Sequence, residues 1–447
     1  MRARRWNGGS LLVLLAVAGC QSVLPLSDSD PVSHELVPRV GHALRQEYSD
    51  NKPVMPPGVC PAEALSEDQA VAVALWNNAR FVESLTDLGV AEGDLVQAGL
   101  LPNPEFVYFP PVDFRSFKYL FDLQLEAFWL RGMCTDAAEH EARRTARRLA
   151  QSALDLMRDV RQAHADVLLA KERLRIAGEA VKLRSRISEL AKHRLEAGDI
   201  APQEAATAGV DALQAEQDAV RIIADLPIAE ERLRNLLGLS TSREPLSVVS
   251  TGALPDAVLD VDALAEEAMN ARPDALAATS LIRASESRLR LAKLSWIRVL
   301  FIGDATSGKD NHVFGPGFRF TVPIFNWSQG AITRADAELA RACRQLETVR
   351  QQVMLDVQRS YRQYRQAADE LTKLRTKVRP EVESAIRRTQ KAYEQGNINF
   401  LLVLEATRQL LDSYVREAQL EAELRRAWAE LERSVGRSLV QPEELKC

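Results

Sequence analysis

The sequence predicts a mainly α-helical protein made of a duplicated unit: short helix, β-hairpin, long helix and returning helix. Three observations predict it. The first is self-similarity at an offset of 198 residues: Leu195-Glu196-Ala197-Gly198-Asp199-Ile200 lies over Tyr393-Glu394-Gln395-Gly396-Asn397-Ile398. At the same offset Gly238 lies over Gly436, and Trp129-Leu130-Arg131-Gly132 over Trp327-Ser328-Gln329-Gly330. Asn78-Ala79-Arg80 and Asn270-Ala271-Arg272 match at a slightly shorter one. A repeat of this size is the unit in which the rest of the chain is read. The second observation is the length of the helical runs, and the third is strict alternation in the segments between them.

The long runs come first. Met133 to Glu196 holds no proline and one glycine, and Ala331 to Arg379 holds neither. In the second run Leu339, Ala342, Leu346, Val349, Val353, Val357, Ser360, Tyr364, Ala367, Leu371, Leu374 and Val378 recur in alternating steps of three and four. That is a heptad-like stripe, the pattern of a coiled coil. At 1.5 Å per residue the first run is about 96 Å long. Pro380 is expected to kink or interrupt the second.

Each long helix turns at a glycine and returns. Gly198 and Gly396 suit a left-handed C-cap, Pro202 the first turn of one returning helix, and Asn399 the N-cap of the other. The returning arms, 202–238 and 399–436, reach about 55 Å. Two further helices, 66–98 opened by the capping box Ser66-x-x-Gln69 and 262–294 opened by Asp262, add about 50 Å each. A short helix stacked on a returning arm therefore matches one long helix.

Strand patterns lie between the short and long helices. In Phe117–Ala127 one face carries Phe117, Tyr119, Phe121, Leu123, Leu125 and Ala127, and the other is mostly Lys118, Asp122, Gln124 and Glu126. In the second repeat Phe318, Phe320, Val322 and Ile324 alternate with Arg319, Thr321 and Pro323. Their partners fall at about Glu105–Phe109 and Trp296–Ile302. Such alternation fits a sheet with one face on a soluble core, or a transmembrane barrel strand that faces lipid on one side and water on the other. Two hairpins on helices of this length have no evident core to cover. In a bilayer four strands leave edge amides unpaired, so other copies of the chain must complete the barrel. The strand count requires oligomerisation but leaves the copy number open.

The domain plan follows: signal peptide 1–19, lipid anchor and extended strap 20–65, first repeat 66–238 with strands at about 103–128, linker 239–261, second repeat 262–436 with strands at about 295–325, and tail 437–447. Arg2, Arg4 and Arg5 precede the apolar run Leu11–Ala18, and Val17-Ala18-Gly19-Cys20 reads as a lipobox. Cys20 is then the acylated first residue of the mature chain, in a bacterial envelope. The apolar run is too short to span a bilayer. Gln21 after the cysteine favours the outer membrane. Cys60, Cys134, Cys343 and Cys447 form no CxxC pair and stand in no zinc-site spacing; Cys134 and Cys343 are read as buried thiols. No catalytic or nucleotide-binding motif is present. The net charge of −5, with acid and base interleaved, gives no nucleic-acid signal. The expectation is a non-enzyme without metal or other cofactor.

Further motifs are Leu101-Pro102-Asn103-Pro104 leading into a strand, Asn270-Ala271-Arg272-Pro273-Asp274, Val322-Pro323-Ile324-Phe325 running to Gly330, and the tip Tyr393-x-x-Gly396 followed by Leu404-Glu405-Ala406. With the lipobox at Cys20, and over nearly the whole mature length, the chain resembles the TolC-type outer-membrane efflux channels. The resemblance implies a homotrimer with a twelve-stranded barrel on a twelve-helix coiled-coil tunnel in the periplasm. It also implies a periplasmic adaptor and an inner-membrane efflux transporter as partners, with passive conduction by this subunit. By the same resemblance the tip turns at Gly198, Ile200, Gly396 and Ile398 meet the adaptor, and Tyr393, Glu204 and Glu405 form the pore constriction. A Tyr393 hydroxyl bonded to the Glu204 carboxylate is expected to hold neighbouring hairpins together. Leu402 and Ile398 depart from the family, which often has an acid and sometimes a base there. The residues alone leave Tyr393 equally readable as a coiled-coil seam residue, and Glu204 and Glu405 as solvated. Two other classes are weighed: a periplasmic adaptor, disfavoured by the two complete hairpins, and a structural coiled-coil lipoprotein without a pore.

Overall fold

The computed structural model describes residues 31–42, 44–45, 53–59, 64–110, 117–241, 246–250, 252, 259–307, 312–395, 398 and 400–439. In chain order the elements are α1 Pro31–Val40, α2 Glu67–Asn77, α3 Ala79–Gly99, β1 Glu105–Phe109, β2 Phe117–Gln124, α4 Glu126–Glu196 and α5 Pro202–Leu236. The second repeat follows with α6 Val261–Ala271, α7 Pro273–Leu294, β3 Val299–Ser307, β4 His312–Phe320 and α8 Gln329–Lys373. A π-helical segment Leu374–Val378, then α9 Arg379–Glu394 and α10 Phe400–Val435, complete it. The chain divides into two compact units. One comprises Met1–Glu35, Ser84–Leu149 and Pro273–Gln351; the other comprises Leu36–Glu83, Ala150–Arg272 and Gln352–Cys447.

The first unit holds one antiparallel sheet in the order β1-β2-β3-β4. Tyr108 pairs with Tyr119, Tyr119 with Ala305, and Ala305 with Phe314, so every side-chain row is fixed across four strands. Two strand boundaries differ from expectation. The fourth strand ends at Phe320 rather than running on through Val322 and Ile324, where Pro323 has no N–H to donate. It begins at His312 and tolerates Pro316 because β4 is an edge strand. The third runs Val299–Ser307 rather than from Trp296 to Ile302.

The predicted helices 66–98 and 262–294 are each two helices, broken at Asn78 and Arg272, which both adopt extended backbone (ψ 114° and 132°). Asn78 starts α3 itself, its Oδ1 accepting from Phe81 N at 3.0 Å. Arg272 precedes Pro273, which disfavours helical ψ at the residue before it. The Ser66–Gln69 capping box forms. In the second repeat the cap is Asp260, not Asp262; its carboxylate accepts from the N–H groups of Asp262 and Ala263.

In the second unit, each break is matched by a glycine of the returning arm. Gly238 (φ +69°) lies against Asn77, and Asn78 Nδ2 donates to Leu236 O at 2.8 Å. Gly436 (φ +92°) lies against Arg272, whose guanidinium donates to Ser434 O at 3.3 Å. Leu236 and Ser434 are themselves 198 apart, so the duplication extends to individual hydrogen bonds.

The α8 stripe is buried from Ala342 to Leu374, with Leu346 and Val349 half-buried, and Tyr364 packs on Trp428 with ring centroids 5.1 Å apart. Pro380 falls in the first turn of α9, directly after the π-helical segment; the predicted interruption is absorbed as one wide turn. The N-terminal strap is not wholly extended. It contains α1, whose Val32 and Leu36 are fully buried; burial, not periodicity, holds this short helix. Cys343 is exposed rather than buried, one position off the stripe at Ala342, whereas Cys134 is half-buried. Burial pushes the Cys134 thiol up.

The second unit also contains a charge cluster. Arg161, 8 % exposed, contacts Glu432, Asp68 at 2.9 Å and Glu67 at 3.3 Å. Glu432, 1 % exposed, also accepts from Ser438 Oγ (3.0 Å) and Leu439 N (2.8 Å), which seats the start of the tail. Beside them His164 Nε2 lies 3.1 Å from Leu65 O, and burial lowers its pKa to about 4.

Candidate functional site

The two hairpin tips form one structure. The α4 helix ends as a Schellman turn: Gly198 takes φ +78°, Asp199 N donates to Arg194 O, and Gly198 N to Leu195 O, both at 2.9 Å. Ala201 is extended and Pro202 occupies the first turn of α5, as expected. On the other hairpin Gln395 N closes on Lys391 O at 3.2 Å. Gly396 and Asn399 lie outside the described residues, as does Cys20.

Ile200 and Ile398, each two positions after its glycine, pack on a shared cluster of Ala191, Ala205, Ala208, Tyr393, Val403 and Leu404. Both tips, and all four helix ends, are thereby joined through apolar side chains. Tyr393 is 7 % exposed inside this cluster, with the Arg194 guanidinium 4.5 Å above its ring. A cation over a desolvated ring contributes on the order of 1–2 kcal/mol. Within one chain Tyr393 is therefore a seam residue. Glu204 is half-buried in the first turn of α5, where a carboxylate complements the helix N-terminus. Glu405 is exposed on α10 and accepts from Gln409 Nε2 at 3.1 Å; Leu401 and Leu402 beside it are 53 % and 56 % exposed.

One feature escaped sequence reasoning. Asp211 is 3 % exposed and takes Arg408 at 2.7 Å and Arg184 at 3.5 Å. This carboxylate joins α4, α5 and α10 a few turns from the tip, and its hydrogen bond raises the Arg408 pKa. The available signal was an acid beside the small-residue row Ala205, Ala208, Ala212 and Ala215, where an exposed position is the default.

The sheet supplies the other site. Its register puts Phe106 and Tyr108, then Phe117, Tyr119, Phe121 and Leu123, then Val299, Phe301 and Ala305, then Phe314, Phe318 and Phe320 on one face. Tyr108–Tyr119 (5.2 Å) and Phe301–Phe318 (5.6 Å) are cross-strand ring pairs on it. The opposite face is mixed: Glu105, Lys118, Asp122, Gln124, Asp304, Thr306 and Arg319 share it with Val107, Phe109, Leu120, Leu300, Ile302 and Val313, and Lys118 and Asp304 pair at 3.2 Å. Phe314, Phe318 and Phe320 are 63–67 % exposed. Patches of this kind mark an interaction surface. Among the described residues no helix is long and apolar enough to cross a membrane, and no group of three or more His, Cys, Asp or Glu side chains is placed to hold a metal ion.

Comparison with known proteins agrees with this geometry. The cobalt-zinc-cadmium resistance protein CzcC of Cupriavidus metallidurans is 24 % identical over 400 residues, covering 85 % of this chain and 92 % of that protein. The crystal structure of CusC superposes with a TM-score of 0.71 at 16 % identity, covering 83 % of this chain and 91 % of that one. VceC of Vibrio cholerae gives 0.69 at 17 % identity, covering 84 % and 97 %. These structures share the fold. The model of the family described as outer membrane efflux protein matches residues 119–239 and 257–437, more than half of the chain. The chain belongs to the outer membrane efflux protein family, the family of TolC-type channels that its tips and hairpins resemble.

Proposed function

We propose that the protein is the exit duct of a tripartite efflux pump, anchored by lipid at Cys20 in the outer membrane with its helices in the periplasm. The observation that carries this is the sheet: one face is aromatic, the other mixes charged and apolar side chains, and among the described residues the edge strands β1 and β4 have no second neighbour. In hydrocarbon those edges must be paired, so strands from three copies close a twelve-stranded barrel over a twelve-helix tunnel. The duct conducts passively and catalyses nothing, without a cofactor. A periplasmic adaptor docks at the Gly198, Ile200, Gly396 and Ile398 turns, and an inner-membrane transporter supplies the energy. Neither an adaptor nor a pore-free lipoprotein needs such a sheet. Cys20→Ala is expected to lose lipid label and accumulate as precursor; a wild type processed normally without lipid contradicts the anchor.

The relative CzcC is by name a cobalt-zinc-cadmium resistance protein. Divalent metal ions are accordingly the proposed cargo. A deletion strain should become sensitive to cobalt, zinc or cadmium and stay indifferent to dyes and antibiotics; the reverse pattern replaces the cargo class.

The narrowest point is placed at the tips, where Glu405 repeats around the ring and favours cations as acidic rings do. Glu405→Gln should lower cation selectivity with little change in conductance. Tyr393→Phe with Glu204→Gln, both at the tip cluster that joins the two hairpins, should raise single-channel conductance with the trimer intact. Unchanged selectivity and conductance in both variants would place the constriction elsewhere.

A further inference from the structure

The Asp211 cluster does not recur in the repeat. At the offset of 198, Arg184, Thr207, Val210 and Asp211 stand where Val382, Glu405, Arg408 and Gln409 stand. No charged member has a charged counterpart, so the cluster is not a by-product of the duplicated scaffold. It asks for a reason of its own.

Arg408 stands between competing acids. On its own helix Glu405 lies three residues before it, a spacing that makes neighbours on the helix surface. From α5 comes Asp211, 3 % exposed, whose Oδ1 accepts from the Arg408 guanidinium at 2.7 Å. Arg184 of α4 donates to the same oxygen at 3.5 Å, and Asp412 is the other acid of α10 that acts on Arg408. The charges are thereby divided. Arg408 is held on Asp211, while Glu405 is exposed and accepts a hydrogen bond from the neutral Gln409 amide. Among the described residues no cationic side chain forms an ion pair with Glu405.

We propose that Asp211 is a positioning residue for cation selectivity: by holding Arg408 it keeps that guanidinium off Glu405 and leaves the Glu405 carboxylate free to face the duct. Released from Asp211, Arg408 would turn to Glu405, because an acid N-terminal to its base is the better helix pairing. Asp412, C-terminal to Arg408, is the poorer alternative. Each acid of the ring would then carry its own counter-ion, and a ring of neutral pairs attracts cations weakly. The inference rests on the reading of Glu405 as a duct-lining acid, and adds what keeps its charge available.

Single-channel recording under a salt gradient tests it, with oligomeric mass verified in detergent for every variant. Asp211→Asn should lose cation selectivity to the level of Glu405→Gln, and adding Arg408→Gln to Asp211→Asn should restore it. A merely structural Asp211 predicts no such rescue, since the second substitution removes one more contact near the tips. Should Asp211→Asn alone fail to assemble, the comparison moves to Arg408. The loss of selectivity on Glu405→Gln should be as large with Arg408 present as in the Arg408→Gln chain. A much larger loss in the Arg408→Gln chain would show that Arg408 already shields Glu405, and would overturn the proposal. Wild-type selectivity in Asp211→Asn, with Glu405→Gln reduced, rejects the positioning role alone. Wild-type selectivity in Glu405→Gln rejects the constriction, and this inference with it.

Discussion

Arg161→Met is expected to destabilise the helical unit by about 3–5 kcal/mol, the usual cost of removing one partner from a buried ion pair. Arg161 is the cation shared by Glu67, Asp68 and Glu432. Glu67 is already raised above the ordinary carboxylate range by burial, although Arg161 and Arg425 both pull it down. Without Arg161, the donors left to Glu432 among the described residues are Ser438 and Leu439. Removing Arg161 takes away a cation that pulls Glu67 down, so the folded pKa of Glu67 rises further above the unfolded one. A raised carboxylate contributes stability below its unfolded pKa and loses it as pH rises through the folded value. The defect should therefore be larger at pH 8 than at pH 5. Glu432→Gln added to Arg161→Met should recover part of the loss. Thermal unfolding of the purified variants at both pH values checks this; a loss under about 1 kcal/mol, the level of an exposed pair, contradicts it.

Gly238→Ala is the second large effect. The backbone at Gly238 has φ +69°, a region that costs an L-residue about 1–2 kcal/mol. An added Cβ there would also lie 2.0 Å from the carbonyl oxygen of Asn77. That oxygen is backbone at a helix end, fixed by the Asn78–Leu236 hydrogen bond, so it cannot move without breaking the joint between α2 and α5. The duplicate glycine gives an internal comparison. At Gly436 the nearest atom to an added Cβ is Arg272 Cα at 3.2 Å, a contact that a few tenths of an ångström relieve. Gly238→Ala is thus expected to abolish recovery of folded protein, and Gly436→Ala to lower the unfolding temperature by a few degrees, in line with about 1–2 kcal/mol in a large chain. Equal losses in both variants would show that φ alone matters and that the close approach to Asn77 is tolerated.

Much of this architecture was legible because the chain states it twice. Gly198 marked the turn of the first hairpin, Gly238 and Gly436 marked the ends of the returning arms, and the step pattern from Ala342 to Leu371 named the buried face of α8. The helix breaks were missed at Asn78, where the apolar pattern runs on and the interruption is made by a side-chain cap. At Arg272 a pre-proline signal was present and outweighed by periodicity. The β4 boundary failed for a related reason: Gly315-Pro316-Gly317 argues against a strand, yet an edge strand accepts it. At the tips the sequence located Tyr393, Glu204 and Glu405 but not their surroundings. That Tyr393 is enclosed while Glu405 faces solvent depends on helix rotation at the turns, which a heptad count fixes only to within a residue. The Asp211–Arg184–Arg408 cluster was invisible because its members lie 27 and 197 residues apart and meet only through packing.

The central claim, that this chain forms a conducting duct through a membrane, is tested most directly by single-channel recording. Purified, lipidated wild-type protein of verified oligomeric mass is added to a planar bilayer in symmetrical salt. The account predicts discrete, long-lived conductance steps of uniform size, cation-selective under a salt gradient, with that selectivity reduced by Glu405→Gln. A correctly folded oligomer that inserts into liposomes but gives no conductance steps would contradict it.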